Sequence, residues 1–247
     1  MKPLIPLMLL AVVSLFAEEV YTTFDVEAQR RSDLTLTSTG VIQTLGADVG
    51  DRVKKGDVLL SLENRDLELS VELARAELER SRIEHRFAKQ TYERYSKVRD
   101  VIDDDLYEQY LLGYEKSVAA LNAAKASLAY KQALLEKSIL RAPYDGVIAQ
   151  RHKEIGDGVS GARIEPVFTL IDTSKVKLIL SFDEKYWQKV KAGSKVTYRV
   201  DGSDERYSGT IAKVYPTVDS KSRKATAELY AEGLRPGLFG EGMIEVE

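Results

Sequence analysis

The side chains that most often carry chemistry are scarce in this chain of 247 residues. Cysteine is absent, which removes thiolate nucleophiles, thiolate zinc sites, disulfides and the lipidated cysteine of a bacterial lipoprotein. The two histidines, His85 and His152, show no H-x-x-x-H spacing and no neighbouring cluster of ligands, so they outline no metal site. Methionine occurs only at positions 1, 8 and 243, and the Met-rich clusters that would hold soft copper or silver ions are missing. There is no G-x-S-x-G elbow and no phosphate-cradling loop. The carboxylates of Asp103 to Asp105 suit a solvated turn better than acid–base catalysis. The expectation is a protein that is not an enzyme and binds neither cofactor nor metal.

Asp103 to Asp105 instead punctuate the element around which the chain is organised. From Asn64 to Ser138 the sequence reads as two long amphipathic helices folded back on each other. In the first, Leu67, Val71, Ala74, Leu78, Ser81, His85, Ala88, Tyr92 and Tyr95 recur in steps of four and three. In the second, Tyr107, Leu111, Tyr114, Val118, Leu121, Lys125, Leu128, Gln132, Leu135 and Ile139 do the same. This is the a/d seam of a coiled coil. Each helix of ~35 residues would be ~50 Å long. Asp residues between them are placed to cap the second helix, with Glu108 three positions after Asp105 completing a capping box. Helix one carries a second apolar stripe at Leu69, Leu73, Ala76, Ile83 and Phe87. Either that stripe widens the contact within the hairpin, or it packs against another copy.

The remainder is strand-like. Lys2, the apolar run Leu4 to Phe16 and Ala17 form a secretory signal peptide over 1–17. The alternative is a retained anchor, for which the run is short. Charged residues make up 30% with a formal net charge of −3, so no basic face for nucleic acid is expected. Two segments flank the hairpin at one constant offset, Gly40-Val-Ile … Val49-Gly50-Asp51-Arg-Val53 and Gly146-Val-Ile … Ile155-Gly156-Asp157-Gly-Val159. Such a repeat implies two equivalent half-sheets, with Gly40, Gly50, Gly146 and Gly156 serving structural turns. Pro143 is placed to stop the second helix. Val58 to Leu62 and Val167 to Ile171 close the two halves. After 173, short runs rich in β-branched and aromatic residues (Val176 to Phe182, Lys195 to Val200, Arg206 to Tyr215, Ala225 to Tyr230, Phe239 to Val246) alternate with turn signals at Asp201-Gly202 and Pro236-Gly237. A small closed barrel hides the edges of that many short strands.

The two G-V-I … G-D-x-V halves resemble a lipoyl/biotinyl-type domain, split here by the hairpin. Ser181 to Gly193, Tyr207 to Arg223 and Leu234 to Phe239 resemble the β-barrel signatures of periplasmic adaptor subunits, the membrane fusion proteins of tripartite efflux pumps. The chain thus reads as mainly β with an inserted α-helical coiled-coil hairpin. Its expected segments are 1–17 (leader), 18–63 (N-terminal strands and first half of the lipoyl-like sandwich), 64–140 (hairpin), 141–173 (second half) and 174–247 (barrel). A lipoyl carrier would need its acceptor lysine at the junction that the hairpin occupies. Lys54 and Lys55 lie in an earlier turn and read as surface charges.

The resemblance implies a periplasmic adaptor between an inner-membrane transporter and a TolC-like outer-membrane channel, assembled as a ring of copies. The transporter would be of the resistance-nodulation-division type, or alternatively an ABC exporter or type I secretion system. The barrel, through Pro216, Asp219 and Arg223, would face the transporter. The hairpin tip would face the channel. The family's tip motif is an Arg, a Leu four residues on and a Ser seven further. Arg94 keeps the Arg, Val98 stands for the Leu, and either Asp103 or Asp105 stands for the Ser. Leu73, Ile83 and Phe87 would serve self-assembly. With its last strand close to Glu247, the chain reads as a reduced adaptor without a membrane-proximal domain.

Overall fold

The computed structural model describes residues 18–246, so the leader assigned to 1–17 lies outside the described residues. The chain divides into two compact units.

The first comprises the N-terminal segment to Arg31 and everything from Asp172 onward. Its strands are β1 (Glu18–Leu34), β8 (Phe168–Asp183), β9 (Lys195–Val200), β10 (Arg206–Thr210), β11 (Lys213–Asp219), β12 (Lys224–Ala231) and β13 (Phe239–Val246). They form a curled sheet in the order β10-β9-β13-β1-β8-β12-β11. Strict alternation on β1 sends Val20, Thr22, Phe24 and Val26 inward, where they meet Val176, Leu178, Leu180 and Phe182 of β8. Phe24 stands edge-on to Tyr198, with ring centroids 5.5 Å apart. Residues 18–31 therefore complete the carboxy-terminal unit by pairing with β13, from Glu18↔Val246 to Asp25↔Phe239. The expected run Arg206 to Tyr215 is two strands, because Ile211 and Ala212 leave the ladder to bond Ser194 and Glu228. Conversely, Phe168 to Ile171 and Val176 to Phe182 belong to the single strand β8, and Val167 lies just before it.

Asp172, buried in this unit, accepts hydrogen bonds from Ser174 Oγ at 2.6 Å, Ser174 N at 3.0 Å and Arg30 at 2.9 Å. Burial pushes its carboxyl up, but the Ser174 bonds and then Arg30 outweigh that and hold it below the usual carboxylate range. Its folded pKa is depressed. Its stabilising contribution is present above the unfolded value of about 3.9 and is lost as pH falls through the folded value. Asp172→Asn is expected to cost about 1–2 kcal/mol at pH 7, discounted for the exposed Arg30. The cost should shrink toward zero in strong acid. Urea titrations followed by the fluorescence of Trp187, in the same unit, measure it.

The second unit spans Ser32–Ile171. Before the helices come β2 (Gly40–Leu45), β3 (Arg52–Val53) and β4 (Val58–Leu62); after them β5 (Ile139–Arg141), β6 (Gly146–Arg151) and β7 (Gly158–Val159). The halves exchange partners reciprocally. β2 pairs β7 through Gly40↔Val159, and β3 pairs β6 through Val53↔Gly146. Gly50 N donates to Ile148 O at 2.8 Å, and its counterpart Gly156 N donates to Ile42 O at 2.9 Å. Ile42 N and Ile148 N return bonds of 3.0 Å to Asp157 O and Asp51 O. In each turn the Asp carboxylate accepts an amide three residues back at 2.8 Å, and the Gly takes a left-handed φ of 92° or 91°. The core is mainly aliphatic, with Ile42, Leu59, Leu60, Leu62, Ile148 and Leu170 buried around Phe168.

Two local expectations are corrected. The cap of the second helix is Asp103, whose side chain accepts from Asp105 N at 2.9 Å, so Asp105 and Glu108 form no capping box. Pro143 does not stop that helix, which ends at Lys137. There Ser138 bonds back to Leu135 O at 2.6 Å and Ile139 has already entered β5.

Candidate docking surfaces

The hairpin consists of α1 (Arg65–Ser96) and α2 (Asp104–Lys137), joined by a single 3-10 turn over Arg99–Val101. On α1 the buried residues Val71, Ala74, Leu78 and Ser81 are the seam read from the sequence. On α2 half of the seam is shifted by one residue. Tyr107, Tyr114, Leu121, Leu128 and Leu135 face α1, but Ala124 is buried while Lys125 and Gln132 are exposed. The series is completed by Tyr110, Ser117 and Ala124. Shape rather than hydrophobicity decides this. Tyr110 stacks on Tyr95 at 4.1 Å and 13°, and Ser117 Oγ meets His85 Nδ1 at 3.1 Å. Leu or Val there would leave the His85 ring nitrogen without its hydroxyl partner.

Nearer the tip, Tyr92 stacks on Tyr114 at 5.2 Å and bonds Tyr107 through hydroxyls 3.3 Å apart. That bond raises the Tyr92 pKa above the ordinary phenol value. His85 is thus a packing residue, and His152 bonds Thr169 Oγ1 at 3.0 Å. Among the described residues no group of three His, Asp or Glu side chains is placed to hold a metal ion.

The turn is braced from inside. Arg99 pairs with Asp104 and lays its guanidinium 4.5 Å from the centre of the Tyr107 ring. Arg94, Val98, Asp103 and Asp105 are all exposed at this end of the hairpin. Asp103 is committed to its cap, whereas Asp105 points no hydrogen bond back into the turn. Val101, unremarked in the sequence, is 81% exposed at the apex. An apolar residue between Asp100 and Asp103 was the available signal.

The second stripe of α1 is exposed, and its last member, Phe87, borders a groove lined by Leu112, Gly113 and Lys116 of α2. Leu73 is 74% and Phe87 71% exposed, and Leu69 and Ile83 are also open. Leu69, Leu73 and Ile83 therefore add little to the contact within the hairpin.

On the curled sheet, Pro216 sits in β11 where the register to β12 shifts, at a position that needs no amide donor. Asp219 accepts from Ser222 N and Lys221 N, each at 2.8 Å, and these bonds lower its pKa. Arg223 takes a left-handed φ of 53°, donates its amide to Asp219 O at 2.8 Å and approaches Glu184 at 3.7 Å. Asp219 and Arg223 shape the β11–β12 turn. The apolar surface beside them comes from Pro216, Val218 and Trp187, which is 60% exposed. Trp187, the single tryptophan, was passed over because a short 3-10 turn leaves no periodic signal.

A sandwich of reciprocal half-sheets, interrupted by a long helical hairpin and continued by a curled sheet, is the architecture of a membrane fusion protein. Residues 31–172 match the family described as CzcB-like, barrel-sandwich hybrid domain. The chain belongs to this family of periplasmic adaptors. It is 29% identical over 219 residues to the cobalt-zinc-cadmium resistance protein CzcB of Cupriavidus metallidurans, covering 81% of this chain and 39% of the relative. It is 26% identical over 218 residues to the macrolide export protein MacA of Yersinia pestis, covering 81% and 59%. The chain thus spans well under two thirds of the length of these curated relatives. Its fold superimposes on a MacA–MexA chimeric protein that contains the Pseudomonas aeruginosa MexA α-hairpin domain. That match has a TM-score of 0.70 at 24% identity, over 94% of this chain and 80% of the other.

Proposed function

We propose that this chain is a periplasmic adaptor that links an inner-membrane transporter of the resistance-nodulation-division type to a TolC-like outer-membrane channel for efflux of small molecules. It acts by holding partners together, without catalysis or cofactor, after a leader at 1–17 directs it to the periplasm. The observation that carries this reading is the hairpin. Its seam is satisfied internally, while its tip exposes Arg94, Val98 and Val101 with nothing among the described residues to cover them. A rod whose apex presents two valines and a cation is built to meet another protein. The relatives support the efflux setting, one being a cobalt-zinc-cadmium resistance protein and the other a macrolide export protein. No helix among the described residues is long and apolar enough to cross a membrane. In this reading the surface of Trp187, Pro216 and Val218, flanked by Asp219 and Arg223, meets the transporter, and Leu73, Ile83 and Phe87 meet further copies.

The absence of native cysteine makes a direct test available. Val101→Cys and Val218→Cys, each carrying a photo-crosslinker in intact cells, should capture two different partners. The first should be an outer-membrane channel and the second an inner-membrane transporter, both identified by mass spectrometry. Capture of the same protein from both positions, or of no membrane protein from either, would overturn the proposal.

A further inference from the structure

We infer that two turns of the curled sheet, beside the groove of Trp187, rest on the anionic phospholipid headgroups of the membrane that holds the transporter. This deepens the adaptor reading and rests on it, because the same surface is the one assigned to the transporter. The first turn, 183–191, follows β8 and carries Lys185, Lys189 and Lys191. The second, 219–224, joins β11 to β12 and carries Lys221, Arg223 and Lys224. Glu184 N donates to Arg223 O at 3.1 Å, and Lys224 stands opposite Asp183 in the β8–β12 ladder, so the two turns form one surface. All six cations are exposed on it.

The charge here is opposite in sign to that of the whole chain. Six cations stand against Asp183, Glu184, Asp219 and Glu18, whereas the formal net charge of the chain is −3. The carboxylates are also committed. Asp219 accepts two amides of its own turn, Asp183 accepts the Lys185 amide at 2.9 Å, Glu184 faces Arg223 and Glu18 pairs with Lys189. Lys191, Lys221 and Lys224 make no ion pair among the described residues. Ammonium groups gathered in this way repel one another until anions collect beside them.

The residue types favour a lipid surface over a protein one. The cores of protein interfaces are depleted of lysine. Lysines around an exposed tryptophan instead suit a headgroup layer, where the amphipathic indole sits at the level of the phosphates and flexible stems carry the ammonium groups to them. Trp187 lies in the first turn, 60% exposed, and lines a groove with Lys185, Pro216 and Val218. In this arrangement the transporter fills the groove at Pro216 and Val218, while Trp187 and the lysines lean on the lipid around it. Attraction to an anionic surface grows with each lysine near it and fades within a Debye length, so only the turns themselves take part.

Trp187 is the single tryptophan of the chain, so its emission reports this surface alone. The purified chain should co-sediment with vesicles in which about a third of the phosphatidylcholine is replaced by phosphatidylglycerol, and Trp187 emission should move to the blue. Vesicles of phosphatidylcholine alone should bind it about tenfold more weakly or worse. Lys191→Glu, Lys221→Glu and Lys224→Glu together should lower binding to the anionic vesicles by about tenfold or more, with circular dichroism unchanged. Equal binding to both kinds of vesicle would overturn the inference. So would an equal blue shift with soluble glycerol phosphate, which would show a site for free phosphate. Unchanged vesicle binding by the triple variant, with capture through Val218→Cys lost, would assign the lysines to the transporter and overturn it as well. If the unsubstituted chain binds no vesicle while Val218→Cys still captures the transporter, the adaptor reading stands and the lipid contact falls. Loss of capture at Val218 without the lysine changes would count against the adaptor reading itself.

Discussion

Gly146→Ala is expected to destabilise the split-sheet unit by about 2–4 kcal/mol, the range of an overpacked core substitution. Gly146 opens β6 and pairs with Val53 across the exchange between the halves. A Cβ built there would stand 2.4 Å from the backbone carbonyl oxygen of Ile171 and 3.0 Å from Leu170 Cδ1. The first is a backbone atom, and the second is the end of a fully buried side chain with no free space to swing into. The strand β8 would have to move, breaking Val147↔Ile171 and the ladder beyond it. Gly113→Ala is the matched control. That glycine lies inside α2 with nothing within 4 Å of an added Cβ. The same methyl there should stabilise by roughly 0.8–1 kcal/mol through helix propensity. Urea unfolding followed by circular dichroism at 222 nm, which reports the hairpin of this unit, should move in opposite directions for the two variants. Equal and small shifts would mean that β8 yields at Gly146 and that the close approach is not a constraint.

Arg94→Asp is expected to abolish export while leaving the protein folded and secreted. Arg94 is exposed in the last turn of α1, where its charge favours the helix end by only about 0.3–1 kcal/mol. It makes no ion pair among the described residues. What the substitution removes is a planar group able to offer two donors to one carbonyl or carboxylate on the channel, and what it adds is a repelling charge. Charge-assisted bonds of about 1.5–3 kcal/mol each, repeated in every copy of a ring, would be lost together. Drug or metal resistance should fall to the level of a strain lacking the gene, with Arg94→Lys intermediate. Wild-type resistance in the Arg94→Asp strain, with its native channel and normal periplasmic levels, would show that the tip does not dock through this residue.

The hairpin and the repeat were legible in the sequence because each leaves a local, periodic trace. Seven-residue spacing marks α1, and the Gly-Asp turns at Gly50 and Gly156 mark the two halves. What escaped was set by partners remote in sequence or by fit. Nothing in Val20, Thr22, Phe24 and Val26 tells that their strand pairs with β13 at the other end of the chain. The continuity of β8 through Thr173 to Lys175 was hidden by polar residues that read as a break. The α2 seam was misplaced by one residue in half of its positions, since Ser117 and Ala124 are chosen by the His85 and helix-packing geometry opposite them. At the surfaces, Arg94 and the α1 stripe were visible as types and spacing. Val101 and Trp187 sit in single turns, where no period exists to single them out.

The reciprocal exchange between the half-sheets also dictates an order of events as the chain folds. Ile42 cannot complete its bonds until Asp157 and Gly156 have been synthesised, and the first half alone has its β2–β4 pairing but lacks the partners of β3 and of the outer edges of β2 and β4. Closing a floppy loop as long as the stretch from Leu62 to Ser138 would cost roughly 4 kcal/mol in chain entropy. The inserted helices need only near-neighbour contacts, which form within microseconds, and they turn back on themselves at a tight bend. Once zipped, they deliver Leu62 N to Ser138 O at 2.9 Å and Asn64 to Ser138 Oγ at 3.1 Å. The segment that interrupts the sandwich in sequence is therefore the clasp that draws its two halves together in time.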